Sequence, residues 1–145
     1  MTKKPKHYGH FARTMIELRY LPKELAMRWA GATWVNECDQ TFSLVVMGVT
    51  KYITMPEKYP HDLYSFFLNL RKSDGTPSDA SKPHDMGWVT GVWDDGSIMR
   101  FDECNGLIHK YMVKEDQAQW KIDLVMKGIS TDIRRDKWKA RHGHE

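Results

Sequence analysis

The sequence predicts an α+β protein in which a small antiparallel β region precedes a helical C-terminal half. In residues 11–54 apolar and polar side chains partly alternate, which is the pattern of strands with one buried face. In residues 78–128 apolar side chains recur every three or four positions, which is the period of an α-helix. The 145 residues show no internal repeat and no linker-like stretch, so we expect one domain over residues 1–145.

The β region contains three strand candidates that are rich in β-branched and aromatic residues. They lie at residues 14–20, 32–35 and 42–49. One alternative stays open, because residues 22–30 could instead form a helix that begins at Pro22. After residues 51–54 the pattern becomes irregular, and we expect residues 57–65 to form an ordered loop of the kind that often carries a functional site.

Two helices are predicted around a turn at residues 94–97, where the sequence reads Asp-Asp-Gly-Ser. The first helix is expected to run toward Val92 from a cap at Ser78 or Asp79, whose side chains can accept hydrogen bonds from the first backbone amides. The second helix carries four apolar side chains that recur on one face. These are Phe101, Cys104, Ile108 and Met112.

A third helix is predicted from Asp116 to Lys127, with Trp120 and Leu124 one turn apart and Gly128 placed to end it. The remaining residues, 129–145, are predicted to form a basic tail. The net charge is +3, and the cations concentrate near both ends of the chain. Such ends could contact the phosphates of nucleic acid or anionic lipid, but we expect them mainly to be solvated and weakly ordered.

Composition excludes several classes of protein. With 28% charged residues, and with residues 44–49 as the longest nearly unbroken apolar run, the sequence predicts no transmembrane segment. The basic N-terminal residues do not lead into an apolar stretch, so we expect no secretory signal peptide. The two cysteines, Cys38 and Cys104, lie far apart in the sequence. They predict neither a disulfide framework nor a zinc site.

The dipeptide His84-Asp85, followed by Asp102 seventeen residues later, is the strongest candidate site. On a helix, neighbouring side chains point about 100° apart, so His84 and Asp85 would face different sites while His84 and Trp88 share a face. A neutral His84 could take a proton from water while Asp102 on the next helix fixes its tautomer. Asp85 would then be available to hold a cation. A purely structural role for this common dipeptide is the competing interpretation.

Five short motifs resemble, in their order, a phage-encoded family known as domain of unknown function 1353. The motifs are Thr54-Met-Pro, Tyr59-Pro-His-Asp62-Leu-Tyr-Ser65, His84-Asp-Met-Gly-Trp88, Trp93-Asp-Asp-Gly96 and Phe101-Asp102. The resemblance spans most of the chain and implies a phage or prophage origin without an established activity. It also implies a location in the phage virion or the host cytoplasm, with other virion proteins as partners.

The segment from His84 to Trp88, followed by Asp102, also resembles the catalytic helices of secreted phospholipases A2 and of the phospholipase domain in parvovirus capsids. This similarity covers residues 84–112. It implies a phospholipase A2-like helix pair in which His84 activates a water molecule, Asp85 binds calcium and Asp102 orients His84. The implied reaction is calcium-assisted hydrolysis of a phospholipid ester.

Further residues are expected to support that site. Trp88 stands where those phospholipases usually have a Tyr whose hydroxyl meets the later Asp. Its indole N–H could donate instead, with a different geometry. Asp62 is the expected second contributor to a calcium site, because its loop must fold back near the first helix if residues 65–79 form a compact excursion. His61 and Ser65, in the same loop, are predicted to assist. Calcium is expected to bind weakly unless a substrate phosphate completes its coordination shell.

Three functions are therefore open. The first is a phage accessory or virion-associated protein with the ester-hydrolase site just described. The second is a non-catalytic structural or binding protein of the phage particle, in which Asp62, His84 and Asp102 form a buried polar network. The third is an HD-type metal-dependent phosphohydrolase whose ligands are His61, His84, Asp85 and Asp102. The sequence leaves the substrate and the oligomeric state undetermined. Complete burial of His84 would favour a structural role.

Overall fold

A computed structural model describes residues 34–36, 38–57, 59–61 and 78–145. Over these residues the elements are β1 (Trp34–Val35), β2 (Gln40–Val46), β3 (Val49–Met55), β4 (Pro60–His61), α1 (Ser81–Thr90), α2 (Phe101–Lys114), α3 (Gln119–Ile129) and α4 (Asp132–His142). The predicted α+β class is confirmed, since an antiparallel strand pair precedes four helices in the described part. The strand candidate at 14–20 and the alternative helix at 22–30 lie outside the described residues.

The chain divides into two compact units. One comprises Met1–Gln40 and Met55–Asp62, and the other comprises Thr41–Thr54 and Leu63–Glu145. The single domain that the sequence suggests stays a prediction.

In the first unit, β1 pairs with β4 in antiparallel fashion, with Trp34 opposite His61. The buried side chain of Asn36 holds the adjoining backbone together. Its amide nitrogen donates to the carbonyl oxygens of Cys38 at 2.7 Å and Met55 at 3.1 Å, and its backbone N–H donates to Tyr59 O at 3.0 Å. A buried amide satisfied by several carbonyl groups fixes an irregular segment that has little regular pairing of its own.

In the second unit, β2 and β3 form a hairpin around Met47 and Gly48. Both turn residues have positive φ, 50° and 80° respectively, which is the signature of a type I′ turn. The hydroxyls of Thr41 and Thr54 meet across the two strands at 2.9 Å. The sequence interpretation of residues 42–49 as one strand was therefore wrong. The chain reverses after Val46 because Gly48 accepts a backbone conformation that few other residues adopt.

Side chains and loop residues close the outer edges of this hairpin. On the β2 side, Ser43 N–H donates to the Tyr111 hydroxyl at 2.8 Å, and Lys110 Nζ donates to Ser43 O at 2.6 Å. On the β3 side, Asp94 N–H donates to Tyr52 O at 2.8 Å. These contacts attach the hairpin to α2 and to the predicted turn at 94–97, and they occupy strand edges that would otherwise present unpaired backbone groups.

The packing of α1 against α2 requires a glycine. A Cβ atom placed on Gly87 would lie 2.6 Å from both Cys104 Sγ and Met99 Sδ. The four apolar side chains that predicted the buried face of α2 are all buried, which confirms that prediction. Their exposed fractions are 0% for Phe101, Cys104 and Met112 and 1% for Ile108.

The start of α1 differs from the prediction, because neither Ser78 nor Asp79 caps it through a side chain. The N-cap residue is Ala80, whose backbone N–H donates to Ser78 Oγ at 3.0 Å. Ser78 Oγ in turn donates to the carboxylate of Glu115, which also accepts from Asp79 N–H at 2.9 Å. A carboxylate from the end of α2 therefore supplies the negative charge that stabilises a helix N-terminus.

The third predicted helix is present, but its bounds are different. Asp116 has a positive φ of 56° and belongs to the turn after α2, so α3 begins three residues later, at Gln119, while Gly128 lies inside it. Trp120 and Leu124 are 62% and 38% exposed. The core side of α3 is formed by Ile122, Val125 and Ile129, which pack with Ala80, Ile108 and Met112.

Part of the predicted basic tail is a helix, α4. Its N-cap residue, Thr131, accepts a hydrogen bond from Arg134 N–H. Trp138 is fully buried, with its ring centroid 5.1 Å from that of Trp88 in an edge-to-face arrangement. Burial of one large aromatic ring gives this polar segment the packing that its charged side chains could not provide. Within the described residues, no helix is long and apolar enough to cross a membrane.

We predict that Gly87→Ala lowers the free energy of unfolding by about 1–3 kcal/mol, because the added methyl group must displace two sulfur atoms in a close-packed interface. The matched control is Gly106→Ala on α2, where the new Cβ would meet Leu44 at an ordinary distance of 3.5 Å. This control should be neutral or stabilising by up to about 1 kcal/mol through higher helix propensity. Urea denaturation measures both. Equal stability of Gly87→Ala and wild type would contradict the packing argument.

Candidate functional site

His84 lies at the centre of a buried polar network. The residue is 3% exposed, and its Nε2 atom lies 3.1 Å from Oδ1 of Asn105, which is itself 4% exposed. The Asn105 amide nitrogen donates to the carbonyl oxygen of Ile129 at 3.4 Å. Because that nitrogen is directed at a carbonyl group, the amide oxygen faces the ring, and His84 Nε2 must be the donor. The two bonds join α1, α2 and the end of α3.

The predicted hydrogen bond between His84 and Asp102 is not formed, and that prediction was wrong. Asp102 lies in the first turn of α2 with its side chain 71% exposed, and it pairs with Arg135 Nη2 at 3.1 Å. Asn105 occupies the place expected for Asp102. Positions three apart on a helix differ by about 60° in direction, and this rotation moves the side chain from solvent to the α1 interface.

Asp85 follows His84 on α1 and is 8% exposed. Lys82, on the same helix, is 4% exposed and forms an ion pair with Asp79 at 2.8 Å. This helix is buried on nearly all sides, so its polar groups are part of the interior rather than of a solvated face.

The structure describes only some of the residues that the sequence predicts for a calcium site. Asp62 and Ser65 lie outside the described residues, and only the backbone of His61 is described. Over the described part of the chain, no three His, Cys, Asp or Glu side chains converge in a way that could hold a metal ion. Calcium binding by Asp85 and Asp62 stays a prediction.

Trp88 belongs to an aromatic cluster, which we define as Trp88, Phe101 and Trp138. The rings meet edge to face, with centroids 5.1–6.2 Å apart. The guanidinium of Arg134 lies 4.9 Å from the centre of the Trp88 ring. The buried indole N–H of Trp88 has no acceptor in the described structure, so the donation toward Asp102 that the sequence left open is not made. Trp88 contributes packing and a cation–π contact instead.

The sequence predicted that Cys104 is buried, but it did not predict a contact between this thiol and the backbone of His84. Its thiol donates to the carbonyl oxygen of His84 at 3.2 Å. Complete burial raises the pKa of the Cys104 thiol well above its usual value, and the charge of Asp85 raises it further. The thiol therefore stays protonated near neutral pH, which leaves it a poor nucleophile.

Asn105 left one signal in the sequence. It stands four residues after Phe101 and three before Ile108, on the apolar face that the helical period had already marked as buried. A polar side chain on such a face requires a hydrogen-bond partner. The helical period alone could thus have identified Asn105 as a network residue, but it could not identify His84 as the partner.

The acidic turn at 94–97 forms as predicted. An ion pair between Lys51 and Asp95 attaches it to β3, and we call this ion pair the tether. Gly96 adopts a positive φ of 85°, and its N–H donates to Trp93 O at 2.9 Å. Lys51 Nζ on β3 lies 2.7 Å from Asp95 Oδ2. The hydrogen bond from Lys51 holds the pKa of Asp95 well below its usual range, and the hydroxyl and N–H of Ser97 lower it further.

Comparisons of the chain with protein-family models, with curated proteins and with solved structures gave no match. The resemblances to the phage family and to phospholipase A2 therefore stay predictions. The fold and the site define the molecule as an α+β protein with a buried His–Asn network, and its function is inferred from that geometry.

We predict that His84 and Asn105 are energetically coupled. His84→Ala and Asn105→Ala should each lower the free energy of unfolding by about 2–3 kcal/mol, since each leaves a buried polar partner unsatisfied. The double variant should lose about 1 kcal/mol less than the sum of the single changes. The control cycle, His84→Ala with Asp102→Ala, should be additive because those side chains do not meet. Denaturant unfolding measures both cycles, and additivity for His84 with Asn105 would contradict the bond.

We also predict a pH dependence for the tether between Lys51 and Asp95. The pKa of Asp95 is depressed in the folded protein, so the tether stabilises the fold above the usual aspartate pKa of 3.8 and its contribution is lost as the pH falls below that value. The exposed position means that added salt weakens the effect. An NMR titration of the Asp95 carboxyl carbon should give a midpoint below 3.8, and Lys51→Met should raise it. The control variant is Lys127→Met, which should leave the Asp95 midpoint unchanged. An unchanged midpoint in Lys51→Met would refute the assignment of the shift to Lys51.

Proposed function

We propose that this chain is a non-catalytic structural or binding protein, in which the His-Asp dipeptide belongs to the scaffold. The observation that carries the proposal is the position of His84, 3% exposed and hydrogen-bonded to Asn105. A general base must reach its substrate or an attacking water molecule, and a ring enclosed between helices has little access to either. A satisfied buried network, in contrast, specifies how helices pack.

The neighbouring groups support the same conclusion. The acid expected to orient His84 is instead paired with Arg135 at the surface. The thiol beside the site is held in its protonated form by burial. Among the described residues, Asp102 and Cys104 therefore serve structural contacts. The resemblance to the phage-encoded family adds the setting, since a protein of this kind would act among the proteins of a virion or in the cytoplasm of the infected host.

A hydrolysis assay combined with unfolding measurements tests the proposal. Purified wild type, incubated with calcium and phospholipid vesicles, should release no fatty acid above the blank. His84→Gln should lower the free energy of unfolding by about 1–3 kcal/mol, whereas Asp102→Asn, at an exposed position, should change it by less than about 0.5 kcal/mol. Calcium-dependent hydrolysis by wild type that disappears in a folded His84→Gln variant would overturn the proposal.

The assignment to a phage particle requires its own experiment. Quantitative mass spectrometry of purified particles from the encoding phage should find the protein at a reproducible copy number. Its absence from the particles would remove the virion assignment but would leave the non-catalytic role of His84 intact.

Calcium-assisted ester hydrolysis is the second candidate, and one observation favours it. Donation from His84 Nε2 to Asn105 leaves the lone pair of a neutral ring on Nδ1, which is the state that a general base requires. In this alternative Asn105 replaces Asp102 as the orienting residue, and Asp85 with Asp62 would bind calcium. Thermal unfolding should then show little stabilisation by calcium alone and more with an anionic phospholipid analogue. The HD-type phosphohydrolase has no comparable support, because Asp102 is directed toward Arg135.

A further inference from the structure

A short segment after α4, residues 143–145, folds back onto the connection between α1 and α2, and we call it the strap. Gly143 ends α4 with a positive φ of 77° and reverses the chain direction. The ring of His144 then lies between two carbonyl groups. Its Nε2 is 2.7 Å from Met99 O, and its Nδ1 is 3.1 Å from His142 O.

This geometry sets a requirement on the protonation of His144. A carbonyl oxygen only accepts hydrogen bonds, so both ring nitrogens must donate for both contacts to be favourable. The neutral imidazole carries one N–H, and its other nitrogen would turn a lone pair toward an oxygen atom. The imidazolium ion carries two N–H groups and satisfies both carbonyl oxygens. The closed strap is therefore complementary to the charged ring.

The strap makes two further contacts around this ring. Glu145 O accepts a hydrogen bond from Phe101 N–H at 2.5 Å, which attaches the strap to the first residue of α2. The carboxylate of Glu145 lies 3.5 Å from Lys139 Nζ on α4. Release of His144 would thus loosen the backbone bond at the N-terminus of α2 as well.

His142 anchors the base of the strap. Its Nε2 lies 3.1 Å from Trp88 O, and its ring packs on Trp138 with centroids 4.4 Å apart. The ring also fills the space beside Gly91, where an added Cβ would come within 2.4 Å of His142 Nδ1. The ring of His144 is 6.2 Å from Trp138. The strap therefore lies against the aromatic cluster.

We propose that the strap is a proton-operated latch: protonation of His144 closes it over the aromatic cluster, and loss of that proton loosens it. The inference goes beyond the proposed function, because it concerns a different face of the helical part and holds whether or not His84 is catalytic. Its consequence is that the exposure of the aromatic cluster depends on the charge of the His144 ring.

Several other charged groups around the strap have partners of their own. On α4, Lys139 pairs with Glu145 and Arg135 pairs with Asp102. On α2, the Glu103 carboxylate accepts from Trp93 Nε1 at 3.2 Å and from Arg100 N–H at 3.1 Å. The side chain of Arg100, on the connection, is exposed. His142 is the neighbouring titratable ring on α4 and adjoins Trp88 of α1. The two carbonyl oxygens are the groups that the His144 ring nitrogens contact.

Amide hydrogen exchange at Phe101 tests the latch, since that N–H reports directly on the strap. After correction for the intrinsic rate, its protection should be about fivefold higher at pH 5.5 than at pH 8.0, which is the effect of one hydrogen bond of about 1 kcal/mol. His144→Gln, which does not titrate, should abolish the difference. The matched control is His109→Gln at an exposed position on α2, which should retain it. Equal protection of wild type at both pH values, or a difference that persists in His144→Gln, would overturn the proposal.

A second measurement keeps the test decisive if the substitution disturbs folding. Nitrogen-15 NMR of the His144 ring in wild type distinguishes imidazolium from either neutral tautomer. Under conditions where the Phe101 amide is most protected, both ring nitrogens should show the protonated pattern. A neutral His144 ring together with full protection of Phe101 would rule the latch out.

Discussion

The hydrogen bond between His84 and Asn105 is the interaction on which the arrangement of the helices depends. Both side chains are buried, and a buried polar group without a partner would cost several times what the bond itself contributes. Since the same Asn105 amide donates to the end of α3, one side chain sets the positions of three helices. An apolar contact would not fix their register in this way, because it has no direction.

Close packing makes this network possible. Gly87 allows α2 to approach α1 until the Cys104 thiol reaches the carbonyl oxygen of His84. On the far side of α1, Trp138 completes the aromatic cluster and brings α4 into the same core. The polar network and the aromatic cluster therefore meet on one short helix, which explains why α1 has little exposed surface.

The same geometry bears on function in two opposite ways. An amide that fixes the tautomer of a histidine is a feature that catalytic sites and structural networks share. Access to the other ring nitrogen separates the two cases, and burial of His84 favours the structural one. His144 is the contrasting case, because its ring lies in a short segment that follows the last helix. Its two ring nitrogens can both donate to the carbonyl oxygens they face only when the ring is charged.

The sequence by itself determined the α+β class, the buried face of α2 and the acidic turn, because helical period and turn chemistry are local properties. It did not determine the hairpin turn at Met47 and Gly48, which interrupts a run of strand-forming residues. Only the tertiary structure decided that Asn105 rather than Asp102 meets His84. The two side chains differ by about 60° around one helix, and the direction from which α1 packs selects between them. No local pattern contains that direction.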